Sequence, residues 1–441
     1  MHIQMAGIDY TRADIHQRER FTFTASALDA ALEWITQAYP HLGCVIIATC
    51  NRTELYLSGK KREDPGPEHM LWTLKAPSPP DCSDEIPSDL WVCRHGMDAV
   101  EHLFLLASGL KSRIVGEHQI LAQVKGALDA AQKAKSTDPV LERLFQMAIG
   151  GAKRIKTETN MNRTDVSIAS VALECIRAYG RGHQLPLYGM KCLVIGNGVI
   201  GRQTAEHLVN AGCQVTVTLR QHRQGAALVP QGCKVIDYDQ RYAFLLEYTV
   251  LISATTSPHY TLTVEQLSAL WDSRKRLFID LAVPRDIEPA LRSLEELTLV
   301  DIDQLGKGGL EKPEQSDEVA IQAILHEAMT EFTHWYAFRA YVGSIAAIQQ
   351  AASADMVLRL NRHLASLGLD AESQNRLRNA LAHASQRVLG KLLFGLRDTL
   401  DRRMWEPCFQ ALETIALRSS RTSKTDEHPM QEKPQGSSEP L

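Results

Sequence analysis

Compact apolar runs and amphipathic stretches alternate along most of the chain. Residues 3–8 and 44–48 are short apolar runs whose spacing predicts strands, and Leu55-Tyr56-Leu57 predicts another. Between the first two, Leu28, Ala31, Leu32, Ile35 and Ala38 recur at helical spacing, so 28–39 is predicted to be a helix with one buried face. Helical periodicity returns over 97–108, where Gly109 reads as a stop. It continues from about Gly116 past Ala131, with Ile120, Val124, Ala127 and Ala131 inward, and again over 140–156. Strand signals then recur at 191–195, 214–219, 250–253, 277–280 and 297–300, with a helix over 201–211. That alternation predicts a doubly wound parallel sheet.

From Pro313 to Pro407 the chain carries no proline, and Leu, Ala, Gln, Arg and Glu dominate. Long helices are expected there, with an apolar side for a partner chain to cover. Residues 60–90 hold Pro65, Pro67, Pro77, Pro79, Pro80 and Pro87 and read as a surface excursion. Residues 418–441, rich in Ser, Thr, Lys, Glu and Pro, are expected to be disordered.

Composition narrows the class. At 441 residues the chain has room for several domains, and 44% hydrophobic with 23% charged residues is ordinary for a soluble protein. No run approaches the length of a membrane span, and Met1-His2-Ile3-Gln4-Met5 lacks a secretion pattern, so the cytoplasm is expected. The 9 cysteines include no Cys-x-x-Cys pair, so neither a disulfide framework nor a metal site is expected. A net charge of −4 excludes nucleic-acid binding by bulk charge; RNA would need a local patch such as Lys153-Arg154-Ile155-Lys156 with Arg163.

Two turns carry candidate chemistry. Thr49-Cys50-Asn51-Arg52-Thr53-Glu54 joins two predicted strands, so Cys50 is held at a strand end beside a cation that favours its thiolate. Gly196-Asn197-Gly198-Val199-Ile200-Gly201 ends a strand and opens a helix, the setting of a dinucleotide-binding turn. The next strand ends at Arg220, with His222 and Arg223 behind it, where an acidic residue would serve NAD; the cations suit the 2′-phosphate of NADP. A reactive thiol plus a dinucleotide fold suggests acyl capture as a thioester followed by hydride reduction.

Together these segments resemble the glutamyl-tRNA reductase family. The resemblance rests on the 49–54 motif, on residues 107–121 (ASGLKSRIVGEHQIL), on Lys156-Thr157-Glu158-Thr159 and on residues 278–289 (FIDLAVPRDIEP). It implies an α/β multidomain protein. A ferredoxin-like α/β catalytic domain would cover 1–155, a Rossmann-type NADP domain 156–312, and a spinal helix with a helical dimerisation domain 313–417.

It also implies catalytic roles for Cys50 and His102. Thr49, Asn51, Arg52, Ser112, Glu117, His118, Gln119 and Gln123 would contact substrate, while Gly196 to Gly201 and Arg220 would hold NADPH. The implied partners are glutamyl-tRNA(Glu), a second copy of the chain and an aminomutase acting next. The chain departs from the family pattern at Asp9-Tyr10, His118 and Leu219, and in the length of the 60–90 segment. A different Cys-dependent acyl-thioester reductase or aldehyde dehydrogenase, and a non-catalytic NADP-sensing paralogue, are the alternatives.

Overall fold

A computed structural model describes residues 1–75, 88–113, 119–159, 167–220, 228–305 and 315–425. The chain divides into two compact units, Met1–Met329 and Thr330–Leu441. The first contains two sheets.

Strands β1 (Ile3–Asp9), β2 (Gly43–Ala48), β3 (Arg52–Ser58) and β4 (Val92–His95) form an antiparallel sheet in the order β2-β3-β1-β4. Helix α1 (Ala25–Ala38) connects β1 to β2, and α2 (Pro67–Lys75) lies between β3 and β4. This is the β-α-β-β-α-β plan of ferredoxin-like folds. Thr24 starts α1 by accepting the Ala27 amide at 3.2 Å, and the helix buries Ala31, Leu32 and Ile35. Those side chains meet Ile46, Leu55 and Leu57 on one face of the sheet.

Helix α2 lies inside the segment expected to be a surface excursion. Proline at a first helical position loses no hydrogen bond, and behind Pro67 the side chains of Met70 and Leu71 are buried in the same core. Proline content hid a short amphipathic helix. Three more helices pack on this sheet: α3 (Met97–Ala107), α4 (Gln119–Ala134) and α5 (Pro139–Glu158). Tyr56, which alternation turns away from Leu55 and Leu57, meets Phe145 of α5 edge-on at 5.3 Å.

The second sheet is wholly parallel. It comprises β5 (Lys191–Ile195), β6 (Gln214–Leu219), β7 (Lys234–Asp237), β8 (Val250–Ser253), β9 (Arg276–Asp280) and β10 (Leu297–Asp301) in the order β10-β9-β8-β5-β6-β7. Strand β7 carries no apolar signature because it is a short, largely exposed edge. Helices α6 (Ile168–Gly182) and α7 (Val199–Asn210) bury Ala172, Ile176, Ala205 and Leu208 against Cys192, Val194 and Val215. Strand order reverses beside β5, and the crevice at the carboxyl ends there is where such sheets bind ligands.

Helix α8 (Gln315–Phe338) leads from the first unit into the second, which holds α9 (Val342–Ser366), α10 (Ala371–Thr399) and α11 (Arg402–Thr425). Phe338, Ile345, Leu393, Trp405 and Phe409 make its core. Val388, Leu392 and Ile415 remain 60–64% exposed. Helix α11 runs into the stretch expected to be a disordered tail, because Arg418 to Thr425 contains neither Gly nor Pro. Residues 426–441 lie outside the described part.

Candidate active site

The β2–β3 turn is held by its own backbone and by Thr49. The Thr49 amide donates to the Arg52 carbonyl at 2.8 Å, while Thr49 Oγ1 accepts the Asn51 and Arg52 amides at 3.2 Å each. The Tyr10 amide donates to the Asn51 carbonyl at 3.1 Å, tying the turn to the end of β1. Cys50 sits half-buried at the tip and packs against the apolar cluster of the parallel sheet. Beside it, Asn51 Oδ1 is a buried acceptor with no partner among the described residues.

Arg52, Glu54 and Tyr56 follow at period two along β3 and so share a face. Arg52 Nη1 donates to Glu54 Oε1 at 2.8 Å, and the Tyr56 hydroxyl donates to Glu54 Oε2 at 2.9 Å. His102 Nε2, on α3, lies 3.0 Å from Glu54 Oε1. Arg52 also donates to the Lys111 carbonyl and stands 3.9 Å from Asp9. Burial alone would raise the Glu54 carboxyl, but His102 and Arg52 outweigh that and hold it at about 2.

Arg52 and His102 are 3% and 5% exposed. The structure therefore brings both beneath the cysteine turn, inside a satisfied charge network, rather than laying them open to solvent. Glu54 is the member that sequence reasoning left without a role. Its signal was there in the alternation of Arg, Glu and Tyr.

The other expected substrate contacts spread along the junction with the dinucleotide region. Ser112 is buried. Gln119 Nε2 donates to Gln203 Oε1 of α7 at 3.1 Å, and Gln123 lies half-buried one turn later. Glu117 and His118 fall outside the described residues. Arg18 and Arg113 both grip Asp303, with nearest contacts of 2.7 and 2.6 Å. Burial works against that carboxylate's charge, yet the two guanidiniums keep it below the usual range. Arg285 closes a second bridge, to Glu19 at 2.8 Å. In the basic patch considered for RNA, Arg154 pairs with Glu158 and Glu327, both at 3.0 Å, which offsets its charge.

At the glycine turn, Gly196 adopts φ +106°, and a Cβ there would come within 2.5 Å of the Ala254 carbonyl. A Cβ on Gly201 would run into the Gly196 carbonyl, so helix and strand need glycine to pack this closely. A Cβ on Gly198 would meet nothing, and the first turn of α7 behind it has no side-chain cap. Asn197 Nδ2 donates to the Leu228 carbonyl at 3.1 Å, while its buried Oδ1 has no partner among the described residues. Val199 is exposed, Ile200 packs on the core, and Arg220 stands exposed at the end of β6. Below the crevice, Asp286 accepts from Ser253 Oγ at 2.7 Å and from Thr255 Oγ1 at 2.6 Å. Burial and the neighbouring Asp286 push the Asp280 carboxyl well up.

Residues 6–159 match the family described as glutamyl-tRNAGlu reductase, N-terminal domain, and residues 182–307 match shikimate / quinate 5-dehydrogenase. A glutamyl-tRNA reductase of Acetivibrio thermocellus is 39% identical over 339 residues, covering 77% of this chain and 98% of that protein. One from Alkaliphilus oremlandii is 36% identical over 346 residues, covering 78% and 100%. The chain belongs to the glutamyl-tRNA reductase family. The solved glutamyl-tRNA reductase from Methanopyrus kandleri aligns over 96% of this chain and 99% of that one, at 24% identity and a TM-score of 0.43.

Membership in the glutamyl-tRNA reductase family, with its dehydrogenase-type second region, makes this a pyridine-nucleotide oxidoreductase. The residues present fit such a cofactor. Bare backbone at Gly198 and an uncapped α7 suit a pyrophosphate, and the orphaned Asn197 Oδ1 awaits a donor. Among the described residues, no helix is long and apolar enough to cross a membrane.

Proposed function

We propose that the protein reduces glutamyl-tRNA(Glu) to glutamate-1-semialdehyde with NADPH, through a thioester on Cys50, as the first committed step of tetrapyrrole synthesis. The observation that carries this reading is the packing of Cys50 against the core of the nucleotide-type sheet, which puts nucleophile and redox fold in one compact unit.

The Cys50 thiol gives up its proton and Sγ attacks the aminoacyl ester carbon; the ester C–O bond breaks, and that proton passes to the 3′ oxygen with which the tRNA leaves. The thiolate splits one hard substitution into two easier steps. Asn51 Oδ1, buried and unpaired among the described residues, is an acceptor for the substrate's ammonium group. Arg52, held by Glu54 and the Lys111 carbonyl, fixes the shape of the turn from beneath. His102 steadies that arrangement through Glu54. Ser112, Gln119 and Gln123 line the substrate side, Glu117 and His118 are expected substrate contacts outside the described residues, and Gly196 to Gly201 with Arg220 hold the nucleotide. When bound, NADPH supplies the hydride that converts the thioester to aldehyde and returns the thiolate.

On this reading 1–155 is the catalytic part, 156–312 the NADP part and 313–417 the spinal helix and dimerisation part, in a cytoplasmic homodimer. The exposed Val388, Leu392 and Ile415 support a partner chain there. An aminomutase is the partner expected to take the aldehyde.

The test is incubation with glutamyl-labelled tRNA in the absence of NADPH. Label is expected to attach covalently to the protein, and Cys50→Ser to prevent it. Label that persists in Cys50→Ser, or product formed only from free glutamyl thioesters, overturns the assignment.

A further inference from the structure

Register places Arg220 and Tyr238 side by side. Strands β6 and β7 pair with Leu219 opposite Asp237, so the next residue of each leaves the sheet at the same carboxyl edge. The Arg220 guanidinium carbon lies 4.3 Å from the centre of the Tyr238 ring. A second guanidinium, that of Arg241, lies 4.1 Å from the same ring centre. Arg241 is fixed: its Nε donates to the Thr261 carbonyl and its Nη1 to the Tyr238 carbonyl, each at 3.1 Å. The ring is fixed as well, half-buried against the cluster of Leu245, Leu262 and Leu267. Arg220, by contrast, is exposed, and among the described residues it makes no side-chain hydrogen bond or ion pair beside its contact with the ring.

Two guanidiniums converge on one ring, and among the described residues neither makes an ion pair. Asp237 and Asp239 flank Tyr238, but Asp237 Oδ1 is turned to the Asp239 amide at 2.9 Å. The π face offsets part of the mutual repulsion of the cations. An anion docking on the exposed Arg220 would offset the rest. The location is the ribose end of a dinucleotide crevice.

We infer that Tyr238 is a positioning residue for cofactor choice: its ring holds the Arg220 guanidinium at the end of β6 so that it receives the ribose 2′-phosphate of NADPH. This rests on the NADPH reading above and extends it to residues outside the glycine turn. A free arginine must give up side-chain entropy to grip a phosphate, and an arginine already stacked gives up less. The role requires the ring face but not the hydroxyl, which among the described residues makes only a 3.5 Å contact with Thr261 Oγ1.

The experiment is equilibrium titration of full-length protein with NADPH and with NADH, followed by nucleotide fluorescence, for wild type, Tyr238→Phe and Tyr238→Leu. Leucine keeps the apolar anchor and removes the π face; thermal unfolding of each variant checks the fold. Tyr238→Leu is expected to weaken NADPH binding about threefold to tenfold and leave NADH binding unchanged, while Tyr238→Phe matches wild type. Equal weakening for both nucleotides, or equal loss in Tyr238→Phe, overturns the inference. Wild type that binds both nucleotides alike overturns the phosphate site but leaves the thioester reading standing. Wild type that binds neither overturns the NADPH reading itself.

Discussion

The turn bearing Cys50 and the turn beginning at Gly196 both close a strand, yet they are furnished in opposite ways. Beneath Cys50, charge is matched internally: Arg52 faces Glu54 and Asp9, and His102 faces Glu54, all of them buried. At the nucleotide crevice the backbone is bare at Gly198, and Arg220 and Arg241 make no ion pair among the described residues. A buried matched network gives shape, since its partners have no spare charge to offer a ligand. Unmatched cations at an exposed edge give binding. On the proposed reading, the first turn holds substrate by geometry and the second holds cofactor by charge.

The sharpest way to break this contrast is Cys50→Ser. The hydroxyl is nearly isosteric, so the unfolding midpoint should barely move, while aldehyde formation should fall by several orders of magnitude. Measurable turnover in the variant would remove the nucleophile from the scheme. Glu54→Ala should act on stability instead. Leaving the Arg52 guanidinium buried and unpaired should cost about 3–5 kcal/mol in denaturant unfolding. A loss below about 1 kcal/mol would mean that water reaches the network.

The same carboxyl predicts an acid limb. Its folded value of about 2 lies below the ordinary 4.5, so its contribution is complete above the unfolded value and disappears as pH falls from about 4.5 toward 2. That difference amounts to about 3 kcal/mol. Glu54→Gln should flatten the stability profile in that window, and an unchanged slope would assign acid sensitivity elsewhere.

On the other side of the comparison, Gly201→Ala forces a methyl against the Gly196 carbonyl. It should cost about 1–3 kcal/mol and weaken NADPH binding in titration, leaving covalent capture of the glutamyl group intact. Capture lost together with nucleotide binding would show the two turns to be one energetic unit. Asp303→Asn should have the smallest effect. The carboxylate is partly exposed, so its two bridges are screened, and a loss of about 1 kcal/mol is expected in thermal or denaturant unfolding.

Much of the site could be read along the chain, where the pattern is local. Thr49 to Glu54 lies between apolar runs, and the alternation of Arg52, Glu54 and Tyr56 already puts those side chains on one face. The Gly196–Gly201 spacing likewise forecasts a strand, a tight turn and a helix. Other features left no trace. Asp303 meets Arg18 from 285 positions away. Strand β7 is an exposed edge without an apolar run, so the neighbour of Arg220 could not be named. Helix α2 was concealed by the prolines around it.

By itself, then, the sequence determined which residue types stand at each strand end, because period and turn chemistry depend on neighbours a few bonds apart. Only the tertiary structure decided which strand ends meet. It turned Arg52 inward toward Glu54, set Cys50 on the core of the second sheet, and brought Tyr238 under Arg220. Those outcomes depend on burial and pairing between distant segments, whose free energy exists only once both sheets have formed.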